Sequence, residues 1–167
     1  MDIKQFNLVW KAYRREKYAH IGLYRIDTLK DDSEKGLKKC IKSYCEMKGF
    51  HCTIYDSKGF YRPDKLGINC FGTKQLIQAG GFIKSSTDKG KGDVFIEIPI
   101  DVNGVKLHAS VWLDIKIGRD YQKSHQKVFQ NQIEATGGVY FMPKNFEQFS
   151  IKMESIIKNY IEKGIKI

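Results

Sequence analysis

The order of elements in the sequence predicts an α/β domain, with a central mixed β-sheet flanked by helices. Three observations carry this. Capped segments with apolar residues at helical spacing open and close the chain, and two alternating segments are joined by Asn103-Gly104. The elements run helix, strands, helix, strand, helix, with no internal repeat. A chain of 167 residues is the size of one domain, long enough to bury about 70% of its unfolded surface.

Residues 1–30 form a basic, aromatic extension. Trp10, Tyr13, Tyr18 and Tyr24 are interleaved with Lys11, Arg14, Arg15, Lys17 and Arg25. Rings stack on bases while cations meet phosphates, so this pattern suits a nucleic-acid contact. It equally suits an amphipathic helix packed on the body or on a second subunit. Residues 31–167 are expected to form the single main domain.

Asp31, Asp32 and Ser33 are cap-type residues, and Leu37, Ile41, Tyr44 and Cys45 recur at helical spacing up to a stop at Gly49. Glu34 falls in the first turn, where a carboxylate suits the helix dipole. Residues 50–55 read as a strand, and residues 56–92 are rich in turn residues. The basic stretch 84–92 lacks the spacing of a phosphate loop. Strands follow at 94–100 and 106–117, joined by the hairpin signal Asn-Gly. A helix is expected at about 122–135, a short strand at 139–142, and a last helix from Asn145 carrying Phe146, Phe149, Met153, Ile156, Ile157 and Tyr160 on one side.

Composition narrows the function. The net charge is +10, and nineteen of the 29 Lys and Arg precede Asp93 against ten of the 19 acids. The first part of the chain therefore carries nearly all the positive field, as a surface facing a polyanion would. No apolar run approaches a membrane span and the N-terminus shows no signal-peptide pattern, so the expected location is cytoplasmic. Cys40, Cys45, Cys52 and Cys70 contain no C-x-x-C pair, which argues for reduced thiols rather than a zinc ribbon.

Asp114-Ile115-Lys116 is the constellation with chemistry in it. A period of two puts Asp114 and Lys116 on one strand face, with aliphatic residues on the other. An antiparallel hairpin brings Asp93, at the entrance of the preceding strand, opposite this neighbourhood. Two converging carboxylates, with the Ile115 carbonyl facing the same gap, suit a divalent cation bound through oxygen. Lys116 can stabilise negative charge on phosphorus, and Gln126 in the next helix can add a hydrogen bond. Taken alone, Asp114 and Lys116 form a pattern that a cross-strand or same-face ion pair explains in most proteins.

Gly92-Asp93 followed by Asp114-Ile115-Lys116 resembles the PD-(D/E)XK nuclease signature, with Gly92 where the motif has Pro. The run from Trp112 to Asp120, then Gln126-Lys127 and Gly137-Gly138-Val139-Tyr140-Phe141, is similar to the VRR-NUC branch found in phage and bacteria. The similarity spans about residues 31–150. It implies a restriction-endonuclease-like core (αβββαβ) with an extra C-terminal helix, and a Mg²⁺-dependent endonuclease on DNA for which Mn²⁺ substitutes. By position, Glu34, Asp93 and Asp114 would be the acidic metal-site residues, joined by the Ile115 carbonyl. Lys116 would be the catalytic lysine and Gln126 the helix glutamine. Cleavage would leave a 5′-phosphate and a 3′-hydroxyl.

Branch members often carry Glu at the position of Asp114, and Lys123 replaces a Ser of their frequent helix pattern. Lys84, Lys89, Lys91 and Arg119 would engage the DNA backbone. No base-reading motif is present, so structure-selective cutting, as of branched DNA or Holliday junctions by a homodimer in a bacterial or phage-infected cell, is the expectation. The alternatives are a basic module that binds nucleic acid without cutting it and a nuclease acting on RNA.

Overall fold

The first helix, α1 (Ile3–Lys17), opens on a capping box in which Asp2 accepts from the Gln5 amide and Gln5 accepts from the Asp2 amide. Its four-residue spacing points Phe6 and Trp10 inward, and Phe6 stacks on Phe146 at 4.2 Å. Asn7, also buried, donates to the Ile3 and Leu29 carbonyls and accepts from the Leu29 amide, which fastens the following segment to the helix. Of the two readings open for residues 1–30, packing on the body describes Phe6 and Trp10. The computed structural model describes residues 1–22, 25–55, 60–62, 65–68, 74–78, 81–83 and 92–167.

Helix α2 (Glu34–Lys48) begins at Ser33, whose hydroxyl accepts from the Gly36 amide, and ends at Gly49 in the left-handed region. It buries Leu37, Cys40, Ile41, Tyr44 and Cys45. Strand β1 (His51–Ile54) follows. Between it and the hairpin the described residues form two small antiparallel pairs. One joins β2 (Phe60–Arg62) to β5 (Gly81–Ile83), the other β3 (Lys65–Ile68) to β4 (Lys74–Gln78). These strands are an addition to the expected turn-rich stretch. Runs of three to five residues are too short to show a period.

Strands β6 (Val94–Val102) and β7 (Val105–Leu113) form the expected hairpin. Asn103 and Gly104 both adopt positive φ, 54° and 85°, as a two-residue turn of this hand requires. Asp101 accepts the Gly104 amide at 2.7 Å. Helix α3 (Ser124–Ala135) crosses over to β8 (Val139–Phe141), which pairs parallel to β7. The result is an open mixed sheet in the order β1-β6-β7-β8.

Strand β7 stops at Leu113, four residues before the expected end, because β6 has no residue left to pair beyond Val94. The chain stays extended even so. The amides of Asp114 and Lys116 continue onto the carbonyls of Phe141 and Pro143.

The last helix, α4 (Phe146–Glu162), is capped by Asn145, and its first amide donates to Asp31 from the loop before α2. Val94, Ile96, Ile98, Val111, Leu113 and Ile115 on one sheet face meet Phe6, Leu37, Ile41, Tyr44, Phe146, Phe149 and Met153 from α1, α2 and α4 in one core. Full burial of each such side chain contributes about 1.5–3 kcal/mol. On the opposite face Trp112 packs against Phe95 and, edge-on, against Phe129 of α3. No helix among the described residues is long and apolar enough to cross a membrane.

Candidate active site

The β6–β7 register creates the site. Val94 pairs with Leu113, so the next step outward sets Asp93 against Asp114 at one end of the sheet. The approach is tight. A Cβ at Gly92 would lie 2.6 Å from the Leu113 carbonyl oxygen, closer than any side chain can come, so only glycine lets the chain enter β6 here. Asp93 is then held from two sides. Its carbonyl accepts the Tyr55 amide at 2.8 Å, and its Oδ2 accepts the Ile115 amide at 2.8 Å. The amides of residues 114 and 116 turn towards β8 while that of 115 turns towards Asp93. In a chain alternating this way the Ile115 carbonyl leaves on the same side as its N–H.

Asp114 is buried, its side chain 3% exposed, and it meets three groups. Lys116 Nζ lies 3.0 Å from Oδ2, the Tyr140 hydroxyl donates to the same oxygen at 3.3 Å, and the Asp93 carboxyl lies within hydrogen-bonding reach. Burial, then the neighbouring Asp93, pushes the Asp114 carboxyl up from 3.8 to about 6, against the pull of Lys116. Burial, reinforced by the Asp114 charge, likewise holds the Tyr140 phenol above its ordinary value.

Lys116 is equally enclosed, and it donates to Gln126 Oε1 at 3.2 Å and lies 3.5 Å from Asp120. Gln126 is itself fixed, because the same oxygen accepts the Lys123 amide in the first turn of α3.

On the other side of Asp93 stands Lys38, one turn into α2 and 12% exposed. Its ammonium lies 2.9 Å from Glu34 and 3.4 Å from Asp93, and it also reaches the Tyr55 carbonyl at 3.5 Å. Burial alone would lower its pKa. The Glu34 and Asp93 carboxylates reverse that and hold it above the ordinary value.

The structure thus brings Asp93, Asp114, Ile115, Lys116 and Gln126 together, and joins Glu34 to them through Lys38. Arg119 is exposed just past Gly118, while Lys84, Lys89 and Lys91 lie outside the described residues. Lys38, Tyr140 and Asp120 are the participants that sequence reasoning missed. The four-residue step from Glu34 to Lys38 was the available signal, but on any helix it reads as a routine surface pair. Tyr140 gave no signal, since its role comes from the parallel register of β8.

Among the described residues no three His, Cys, Asp or Glu side chains converge as a ready-made metal cage. The donors that do meet are the Asp93 and Asp114 carboxylates. Chemically, the neighbouring carboxylates of Asp93 and Asp114 are flanked by the ammonium groups of Lys38 and Lys116 at the open end of a sheet. No protein family, curated protein or solved structure matches the chain.

Proposed function

We propose that the protein is a metal-dependent endonuclease of the PD-(D/E)XK type, built on a restriction-endonuclease-like core and hydrolysing phosphodiester bonds of DNA. The single observation that carries this reading is the meeting of Asp93 with Asp114, with Lys116 3.0 Å from the latter, at the sheet end where β6 begins and β7 finishes. The order α2, β1, β6, β7, α3, β8 in the main sheet is in keeping with it, as is the net charge of +10.

The donor set suits a hard divalent cation such as Mg²⁺, with Mn²⁺ as a substitute. Mg²⁺ is commonly held by only one or two carboxylates, with water and substrate phosphate completing the shell. Asp93, Asp114 and the Ile115 carbonyl would hold it, and a cation there would offset the burial and the neighbouring Asp93 that raise Asp114. When bound, such an ion supplies Lewis-acid polarisation of the phosphoryl group.

The chain's own residues do the rest. Lys116, kept in place by Asp114 and Gln126, presents an ammonium to the negative charge that develops on phosphate oxygens. The Ile115 amide fixes the Asp93 carboxylate, and Lys38 balances the combined charge of Asp93 and Glu34. Structure-selective cutting of branched DNA follows from the same reading, since contacts to the backbone carry no sequence information.

Supercoiled plasmid incubated with the protein and Mg²⁺ or Mn²⁺ tests this. Nicking is expected with either ion and is expected to vanish in Asp114→Ala and Lys116→Ala. Absence of nicking with both ions, or equal nicking by the two variants, overturns the proposal. Binding without cutting would favour a non-catalytic nucleic-acid module.

A further inference from the structure

We infer that the exposed face of α2 is a track for the phosphate backbone of a nucleic acid, leading into the candidate site from Lys38. The inference deepens the nuclease reading and rests on it for what lies at the end of the track. Helical spacing sets Lys35, Lys38, Lys39 and Lys42 as mutual neighbours at three and four residues, with a rise of roughly 6 Å for each four-residue step. Lys38, at the edge of this group, is the residue bound to Glu34 and Asp93. Lys35, Lys39 and Lys42 are exposed and carry no ion pair among the described residues. The acid on the same face, Glu46, is engaged by Arg14 and Lys17 of α1.

Like charges at these spacings destabilise a helix. Each of α2 and α4 offsets one cation with a carboxylate four residues away, Lys38 with Glu34 and Lys158 with Glu162. The repulsion among Lys35, Lys39 and Lys42 has no ion pair to offset it among the described residues, as on a surface whose counterion is a ligand.

Two open hollows adjoin the row. One of 270 Å³ is lined by Lys30, Lys35 and Lys39 together with Asp27 and Asp32. The other, of 320 Å³, has Lys39, Lys42, Arg14 and Arg25 with Asp27 and Glu46 as its charged lining. The row is therefore open to a long ligand.

The chemistry selects nucleic acid among polyanions. A helix lying on a membrane would mix large apolar side chains with its cations, and α2 exposes none. A protein partner is a poor fit because lysine is depleted at protein interfaces. A row of lysines beside a site suited to phosphodiesters is matched by a chain of phosphates, each contact releasing counterions.

The test is fluorescence anisotropy of the full chain with a labelled DNA duplex, in EDTA so that no cleavage occurs, across a salt series. A matching RNA duplex forms a second arm. The triple variant K35Q/K39Q/K42Q is expected to flatten the dependence of log affinity on log salt by about 2 to 3, at about 0.9 per lost phosphate contact. Its melting temperature should be unchanged or higher. K152Q/K158Q/K163Q on α4 removes the same charge and should keep the wild-type slope. The inference is overturned if the α2 variant binds both duplexes like the wild type, if the α4 variant loses as much, or if the α2 lysines matter only for anionic phosphatidylserine vesicles. Plasmid nicking is scored separately. Nicking by a wild type whose α2 variant still binds removes the track and leaves the nuclease. No nicking alongside a lost slope removes the nuclease and leaves the track.

Discussion

The two halves of the candidate site contain the same chemistry, an aspartate and a lysine, set in different surroundings. The Asp93 half draws on α2, β1 and β6, and its ammonium serves two carboxylates, one of them 38% exposed. The Asp114 half draws on β7, β8 and α3, and its Asp and Lys side chains are 3% and 6% exposed. Burial makes Asp114 the group that titrates near neutrality. Asp93 is secured by a backbone amide and Lys38. One half fixes its carboxylate with a backbone amide and an ammonium, and the other buries it.

The largest expected effect breaks this comparison at its buried end. Asp114→Ala or Lys116→Ala is expected to reduce plasmid nicking by about a hundred- to a thousandfold, of the order seen when one preorganised stabilising group is lost. At sub-saturating Mg²⁺, nicking by the wild type should fall as pH drops below about 6, because proton and cation compete for Asp114, and added Mg²⁺ should move the fall to lower pH. A fall whose position does not move with Mg²⁺ concentration would remove Asp114 from the metal site.

Stability should follow the same group with a sign of its own. The folded-state pKa of Asp114 lies above its unfolded value. Its favourable contribution is therefore complete below about pH 3.8 and lost as pH rises through about 6. That rise corresponds to about 3 kcal/mol. Asp114→Asn, which cannot ionise, should gain stability relative to the wild type above pH 6, by up to that amount less whatever the Lys116 pair contributes. The gain should shrink towards pH 4. Denaturant melts in EDTA at pH 4, 6 and 8 measure it, and a pH-independent difference would contradict the burial of an ionisable Asp114.

Lys38→Met examines the other half. It leaves Glu34 and Asp93 facing each other without their cation, and should cost about 1–3 kcal/mol, since both partners keep some contact with water. Glu34→Gln in the same background should recover part of that loss. If the two changes are additive, Lys38 does not couple the acids.

What was legible in the sequence depended on how local the signal was. Ser33 and Gly49 bracket α2 as read, and Asn103-Gly104 sets a register from which the approach of Asp93 to Asp114 follows by counting. The place of α1 was not legible. Its amphipathic face fits a partner as well as a core, and what decides is Asn7 reaching Leu29, twenty-two residues away. β2 to β5 were too short to read. Lys38 hid behind its ordinary spacing from Glu34, because the third member of the group, Asp93, lies 55 positions away.

The smallest change sharpens the comparison by a single atom. Tyr140 donates its hydroxyl to the Asp114 oxygen that also meets Lys116. A hydrogen bond to the charged form lowers a carboxyl's pKa, so Tyr140→Phe should raise Asp114 further above about 6, and by less than one unit, because the 3.3 Å contact is long. The phenylalanine keeps the ring that packs edge-on against Phe129, so the fold should lose no more than about 1 kcal/mol. A carboxyl titration of Asp114 by NMR, run on both proteins in EDTA, reads the shift directly. A midpoint that moves down would mean that the phenol opposes the charged carboxylate, and the buried half of the site would then have Lys116 as its sole stabilising partner for that charge.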